Sequence, residues 1–251
     1  MLVMGILNVT PDSFADGGRH NDFDAAVARG LEMIAEGVDI IDIGGESTRP
    51  GADRVNEAEE IARTIPVIKE LAKQGVKISI DTMRASTAEA AIKAGASIIN
   101  DVSGGLADPL MLQTAARLHV PYIAMHWRGQ SKDMNLKAIY GDVVSDVISE
   151  LQERVDAALD AGISRDNLII DPGLGFAKDA DHNWAIIDAI DQFVAMGYPV
   201  LVGASRKRFL GGETPDEREQ ATIDLTKRLA PSGVWAIRVH SVKPHKEVLS
   251  A

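Results

Sequence analysis

The stretch Ala35-Glu36-Gly37-Val38-Asp39-Ile40-Ile41-Asp42-Ile43-Gly44-Gly45-Glu46 contains one complete joint of the fold. A helical segment ends in Gly37, a position that fits the left-handed backbone just past a helix, where a Cβ would be penalised. An apolar run over 38–43 follows at once, nearly continuous as in a parallel strand buried on both faces. It then breaks into a polar, glycine-rich loop. The joint recurs: Lys73-Gln74-Gly75 precedes 76–80, Lys93-Ala94-Gly95 precedes 96–99, Asp160-Ala161-Gly162 precedes 168–170, and Met196-Gly197 precedes 199–202. His119 stands where the other units have glycine. The apolar runs number eight, near 3–8, 39–44, 77–81, 97–101, 121–126, 168–171, 199–204 and 234–240. Helical patterns separate them over 24–36, 56–74, 86–94, 109–118, 138–161, 181–196, 215–230 and 241–250. Eight βα units in 251 residues predict an α/β protein, a (β/α)8 TIM barrel in a single domain. A doubly wound open sheet is the alternative. Ser86-Thr87-Ala88-Glu89 and Thr214-Pro215-Asp216-Glu217 read as capping boxes, and Pro66 predicts a kink in the second helix.

Charge narrows the partners. Lys plus Arg is 26 against 37 Asp plus Glu, a net charge of −11. That disfavours a bulk electrostatic grip on nucleic acid or an anionic membrane. An anionic ligand must be held by a few local Arg, Lys or helix N-termini. The chain has no cysteine, which excludes disulfides, thiolate metal sites, iron–sulfur clusters and a cysteine nucleophile. The first basic residue is Arg19, and no apolar run approaches the ~18 residues of a membrane span, so a soluble cytoplasmic protein is expected.

In a barrel of this kind the site lies at the C-terminal ends of the strands. Here every strand end is polar: Asn8, Gly44-Gly45-Glu46-Ser47-Thr48-Arg49-Pro50-Gly51, Asp81-Thr82, Asn100-Asp101, His126, Asp171-Pro172-Gly173, Ser205-Arg206-Lys207 and Arg238-Val239-His240. Burying so many polar groups costs free energy unless they pair or bind something. A ligand site at this face is therefore expected.

These segments, together with Met4-Gly5-Ile6-Leu7-Asn8-Val9-Thr10-Pro11-Asp12-Ser13-Phe14 and Asp171-Pro172-Gly173-Leu174-Gly175-Phe176, resemble dihydropteroate synthase, a family of pterin-binding enzymes. The resemblance runs through the whole chain with its motifs in order. It implies a transferase of folate biosynthesis that condenses 6-hydroxymethyl-7,8-dihydropterin pyrophosphate with p-aminobenzoate, giving 7,8-dihydropteroate and pyrophosphate. It also implies Mg²⁺ as cofactor, and a homodimer.

The residues fit that chemistry. A pterin presents amide and amidine edges, and an ionised carboxylate accepts two N–H bonds from such an edge. Asp171 is assigned that place, with Asp81 and Asn100 at other ring edges and Lys207 over the ring or at its carbonyl. For Asp81 and Asp171 the plainer reading is a cap or an ion pair, and for Asn100 a buried turn amide. Arg238 and His240 are two apart, hence on one face of a strand. They are assigned to the diphosphate, with Arg49 joining from the second loop. An ion pair at the barrel mouth is the plainer reading of Arg238. Asn8 is assigned to Mg²⁺ or the diphosphate, and Asp12 to the first loop's catalytic contacts. For p-aminobenzoate, Pro50, Phe176 and the Lys207 stem form a slot, Ser205 takes the carboxylate, and Thr48 lines it. The first two loops carry few apolar anchors, which predicts that diphosphate and metal bind before p-aminobenzoate.

Asp42, Asp101 and His126 carry no assignment, and His20, His182 and His245 read as solvated. A Schiff-base aldolase using Lys207 is the rival enzyme reading, disfavoured because Lys207 lies in a turn beyond its strand. A paralogue that binds pterin without turnover is the non-enzyme rival.

Overall fold

The computed structural model describes residues 1–10, 18–46, 55–129 and 134–250. Eight parallel strands alternate with helices: β1 (Leu2–Asn8), α1 (Gly18–Ala35), β2 (Ile40–Gly44), α2 (Glu57–Ala72), β3 (Lys77–Asp81), α3 (Ala85–Ala94), β4 (Ile98–Asp101), α4 (Met111–Leu118), β5 (Tyr122–Met125), α5 (Val143–Asp160), β6 (Leu168–Asp171), α6 (Ala180–Asp188), α7 (Ile190–Val194), β7 (Leu201–Val202), α8 (Glu217–Leu229), β8 (Ala236–Val239) and α9 (Lys243–Ser250). The strand order is β6-β5-β4-β3-β2-β1-β8-β7, and a single bridge between Ile170 and Val200 joins the two edges. The barrel is nearly closed, as the eight βα units predict. That seam is its thinnest part. The apolar run expected over 199–204 keeps regular ladder only at Leu201–Val202. Pro199 has no N–H to give the ladder, and Gly203 has no side chain to pack.

The glycine joints hold. Gly37, Gly75, Gly95, Gly162 and Gly197 all take positive φ, between 74° and 118°. His119 adopts the same left-handed conformation, φ 54°, at the end of α4. Other expectations are corrected. The helix expected over 181–196 is two, α6 and α7, divided at Ala189. The pattern over 138–161 becomes helical only at Val143, where the Asp142 side chain accepts from Ser145 N. α1 begins at Gly18, ahead of the expected 24. Ser86 caps nothing: α3 already starts at Ala85, whose N–H donates to Asp108 Oδ2. Thr214 and Glu217 exchange bonds at 3.3 and 3.4 Å, but α8 begins only at Glu217 with Asp216 at its cap, so Pro215 is not its first helical residue. Pro66 lies inside α2, as the sequence places it, and the helix runs from 57 to 72. His245 is fully buried, not solvated, and pairs with Thr226 Oγ1 at 2.8 Å.

Two apolar layers follow from strand alternation. One lies between barrel and helices. The other plugs the barrel floor with Met4, Ile40, Ile98, Ile123, Ile169, Leu201 and Ala236, one residue from each of seven strands. Burying each large side chain contributes about 1.5–3 kcal/mol. The floor confines polar groups to the upper half of the barrel.

Candidate active site

Two residues beyond the floor, the same inward faces turn polar. Asp42 and Asn100 lie one period above Ile40 and Ile98, Asp171 above Ile169, and Arg238 above Ala236. Arg238 donates from Nε to Asp42 Oδ2 and from Nη2 to Asp81 Oδ2, both at 2.6 Å. Asn100 Nδ2 donates to the same Asp42 oxygen at 3.1 Å. Asp42 is therefore the hub of a buried charge cluster spanning β2, β3, β4 and β8. Its Oδ1, and the Oγ of its register neighbour Ser79, have no hydrogen-bond partner among the described residues. Burial pushes the Asp81 carboxyl up to about 7, against the downward pull of the Arg238 charge. Against its own desolvation, Arg238 is held above the ordinary arginine value by Asp42 and Asp81. The plainer sequence reading of Arg238 and Asp81, an ion pair at the barrel mouth, is what this structure contains, and it lies within the pocket expected for ligand.

Asp171 is 5% exposed, and its Oδ1 accepts from Gly173 N at 2.7 Å. Burial raises its pKa. Lys207 reaches across from the turn after β7, donates from Nζ to Leu174 O and lies 4.6 Å from the Phe176 ring centroid. Burial lowers the Lys207 ammonium to about 8, while Asp171 draws it up. Lys207 and Phe176 thus meet, as expected of two walls of one slot. With its Nζ committed to a carbonyl, Lys207 is not presented as a Schiff-base nucleophile. Ser205 Oγ lies 2.9 Å from His240 Nδ1 and accepts from His240 N at 3.2 Å. The structure therefore joins Ser205, assigned to one substrate, to His240, assigned to the other. Between Ser205 and Lys207, Arg206 takes φ 57° and is anchored by Glu219 at 2.6 Å, a bend that turns its neighbours toward different partners.

Asn8 ends β1, half-buried, on the face shared with Met4 and Ile6. It offers one amide oxygen, the kind of ligand Mg²⁺ takes in sites completed by phosphate and water. Among the described residues, no group of three His, Asp or Glu side chains could by itself hold a metal ion. The donor chemistry therefore fits Mg²⁺ only as a partner of the diphosphate. Asp12, Thr48, Arg49 and Pro50 lie outside the described residues.

Three features were missed at the sequence level. Met83, Val102 and Met125 form an apolar cluster with Trp127 and Phe176 at the mouth. Arg84 binds Glu46 Oε2 at 2.8 Å and Val55 O at 2.6 Å, and also pairs with buried Glu60, so it ties together Glu46 and Val55, between which the described residues break off. Lys178 is buried behind Phe176. An isolated basic residue in a sequence carries no sign that it will be buried. Asp101 proves structural: it accepts from Ser103 N and Oγ, Gly105 N and Tyr122 OH.

Comparison with known proteins follows this geometry. The sequence pattern of the family described as "Pterin binding enzyme" matches residues 4–240. The chain is 50% identical over 257 residues to the dihydropteroate synthase of Mycobacterium leprae, covering 98% of this chain and 90% of that one. It superposes with a TM-score of 0.93 and 43% identity on a Xanthomonas albilineans dihydropteroate synthase solved with 4-aminobenzoic acid, covering 99% and 90% of the two chains. Against a structure from the same organism with 7,8-dihydropteroate, the TM-score is 0.90 at 40% identity, over 99% and 91%. The matched family pattern, the identity over nearly the whole chain and the shared barrel agree: the chain belongs to the dihydropteroate synthases, within the family of pterin-binding enzymes.

Proposed function

We propose that the upper half of this barrel makes 7,8-dihydropteroate by losing pyrophosphate before the amine attacks. The observation that carries this reading is the set of carboxylates and amides preorganised inside the barrel: Asp42, Asp81, Asn100 and Asp171, each no more than 6% exposed, around one guanidinium. Groups fixed in place before the reaction stabilise developing charge without reorganising, and this is commonly the largest catalytic term.

Asp171 accepts the aminopyrimidine N–H groups of the pterin, with Asn100 and Asp81 at its other edges and Lys207 against its ring. Arg238 and His240 face the diphosphate, joined by Arg49. Asn8 would hold Mg²⁺ beside the diphosphate, where the metal would neutralise phosphate charge, and Asp12 adds the first loop's catalytic contacts. The C–O bond breaks and its electron pair leaves with pyrophosphate. The pterin methylene cation left behind sits in the field of Asp81 and Asp171. The lone pair of the p-aminobenzoate nitrogen then forms the C–N bond, and its proton passes to solvent. An aryl amine is unprotonated near neutral pH, so no strong general base is required. Phe176, Pro50 and the Lys207 stem enclose p-aminobenzoate, Thr48 lines the slot, and Ser205 receives the carboxylate. The family resemblance supports a homodimer, and a cytoplasmic location accords with it.

The test is pyrophosphate release with both substrates, omitting each in turn and then chelating Mg²⁺. Cleavage is reversible until the amine traps the cation, so net release should need both substrates and fall on chelation. Release from the pterin diphosphate alone at the full rate would overturn coupled transfer. Titration calorimetry should show p-aminobenzoate binding only once pyrophosphate and Mg²⁺ are present, and light scattering should report a dimer mass.

A further inference from the structure

Lys178 follows the β6 loop and is 8% exposed, a rare state for lysine. All three of its N–H donors have partners: Gly173 O at 3.1 Å, Phe176 O at 3.1 Å and His126 Nδ1 at 2.9 Å. The Glu150 carboxylate facing Nε2 can only accept, so the neutral imidazole carries its proton on Nε2 and Nδ1 accepts from Lys178, which burial lowers to about 7. That Nε2–H points to Glu150 Oε2 at 2.9 Å. Burial, with the Lys178 charge, lowers His126 to about 4 and keeps the ring neutral. Glu150 is in turn gripped by Arg128. A chain of four side chains thus runs from α5, through the end of β5, to two carbonyls of one loop.

That loop needs holding. Within five residues, Gly173, Gly175 and Ala177 all take left-handed φ of 67°, 75° and 48°. Its start is fixed by β6 and by the bond from Gly173 N to Asp171. Its far end carries Phe176, held by the turn from Phe176 N to Gly173 O at 3.1 Å, by the bonds of Lys178, and by Tyr140 OH donating to Ala177 O at 2.9 Å.

We propose that Lys178, oriented by His126 and Glu150, is a positioning residue for the p-aminobenzoate half of the site. It sets the Phe176 wall against Lys207 while Asp171, carried by the sheet, keeps its place. The proposal rests on the synthase reading, and the experiment separates the two. Wild-type turnover requiring both substrates tests that reading first. Steady-state kinetics are then compared for wild type and Lys178→Met. The KM for p-aminobenzoate should rise about tenfold or more, with kcat and the pterin diphosphate KM within threefold. Should Lys178→Met fail to fold, two substitutions of His126 decide. His126→Leu removes the acceptor and should raise the p-aminobenzoate KM in the same way. His126→Asn restores an oxygen where Nδ1 stood and should recover most of the wild-type value. Equal shifts in both KM values, an unchanged p-aminobenzoate KM in a folded variant, or His126→Asn behaving like His126→Leu would each overturn the proposal, even with wild-type turnover intact.

Discussion

Asp171 and Asp42 are both buried inward carboxylates, yet their surroundings separate them. Asp42 is held by the side chains of Arg238 and Asn100, whereas the hydrogen bond to Asp171 comes from a backbone N–H, that of Gly173, so no protein cation among the described residues is fixed on its carboxylate. Asp171→Ala should therefore weaken pterin binding by about 1.5–3 kcal/mol, since ligand donors lose a charged acceptor, while thermal stability changes little. Calorimetry with a pterin ligand checks it, and normal affinity in the folded variant would remove Asp171 from the site. The Phe176–Lys207 contact, at 4.6 Å from nitrogen to ring centroid, is the wall that the proposed function gives to p-aminobenzoate. A sulfonamide, with an aryl amine and a polar para group, should compete with p-aminobenzoate. Non-competitive inhibition kinetics would place the slot elsewhere.

At the scale of elements, the repeated helix–glycine–strand joint has one departure. His119 closes α4 with φ 54° and carries a Cβ in a conformation glycine adopts freely. His119→Gly should raise stability by roughly 0.5–1 kcal/mol, about 1–4 °C in Tm for a chain of this size. The joint precedes β5, at the end of the barrel opposite the site, so kcat should be unchanged. A fall in Tm would show that His119 makes an interaction worth more than the relieved strain. The loop after β6 behaves in the opposite way. A Cβ on Gly173 would lie 2.4 Å from His126 O, so that glycine is required by both φ and space.

Across the whole molecule, buried ionisable groups make stability depend on pH with both signs. His126 and Glu150 lie at about 4 and about 2 in the folded chain, below their ordinary 6.5 and 4.5. The unfolded chain binds more protons there, so their contribution is complete above pH 6.5 and is lost as pH falls through 4 and then 2. Asp81, raised to about 7 by burial, acts in the opposite sense, gaining stability as pH falls. A comparison with a variant isolates the histidine. Between pH 7 and pH 4.5 the urea midpoint of wild type should fall further than that of His126→Asn, which has no imidazole to protonate. Parallel falls would mean that His126 is not held neutral.

The sequence by itself determined the architecture and the contents of the site. Glycine at the left-handed helix ends and apolar runs of strand length are local properties, and eight βα units favoured a closed barrel over an open doubly wound sheet. Polar residues at the ends of the apolar runs put Asn8, Asp81, Asn100, Asp171 and Arg238 at the expected barrel mouth, and the family resemblance implied their roles. Only the tertiary structure decided who pairs with whom. Asp42 became the partner of Arg238 because β2 and β8 flank β1, a neighbourhood with 196 residues of chain between the pair. Asp101, one residue from Asn100, turned outward to Tyr122. Lys178, Arg84 and His245 were illegible because desolvation is set by what packs around a side chain, and their partners come from distant segments. Local sequence carries torsional preference and facing direction. Long-range packing alone decides which charges are buried together, and therefore which residues hold the site in shape.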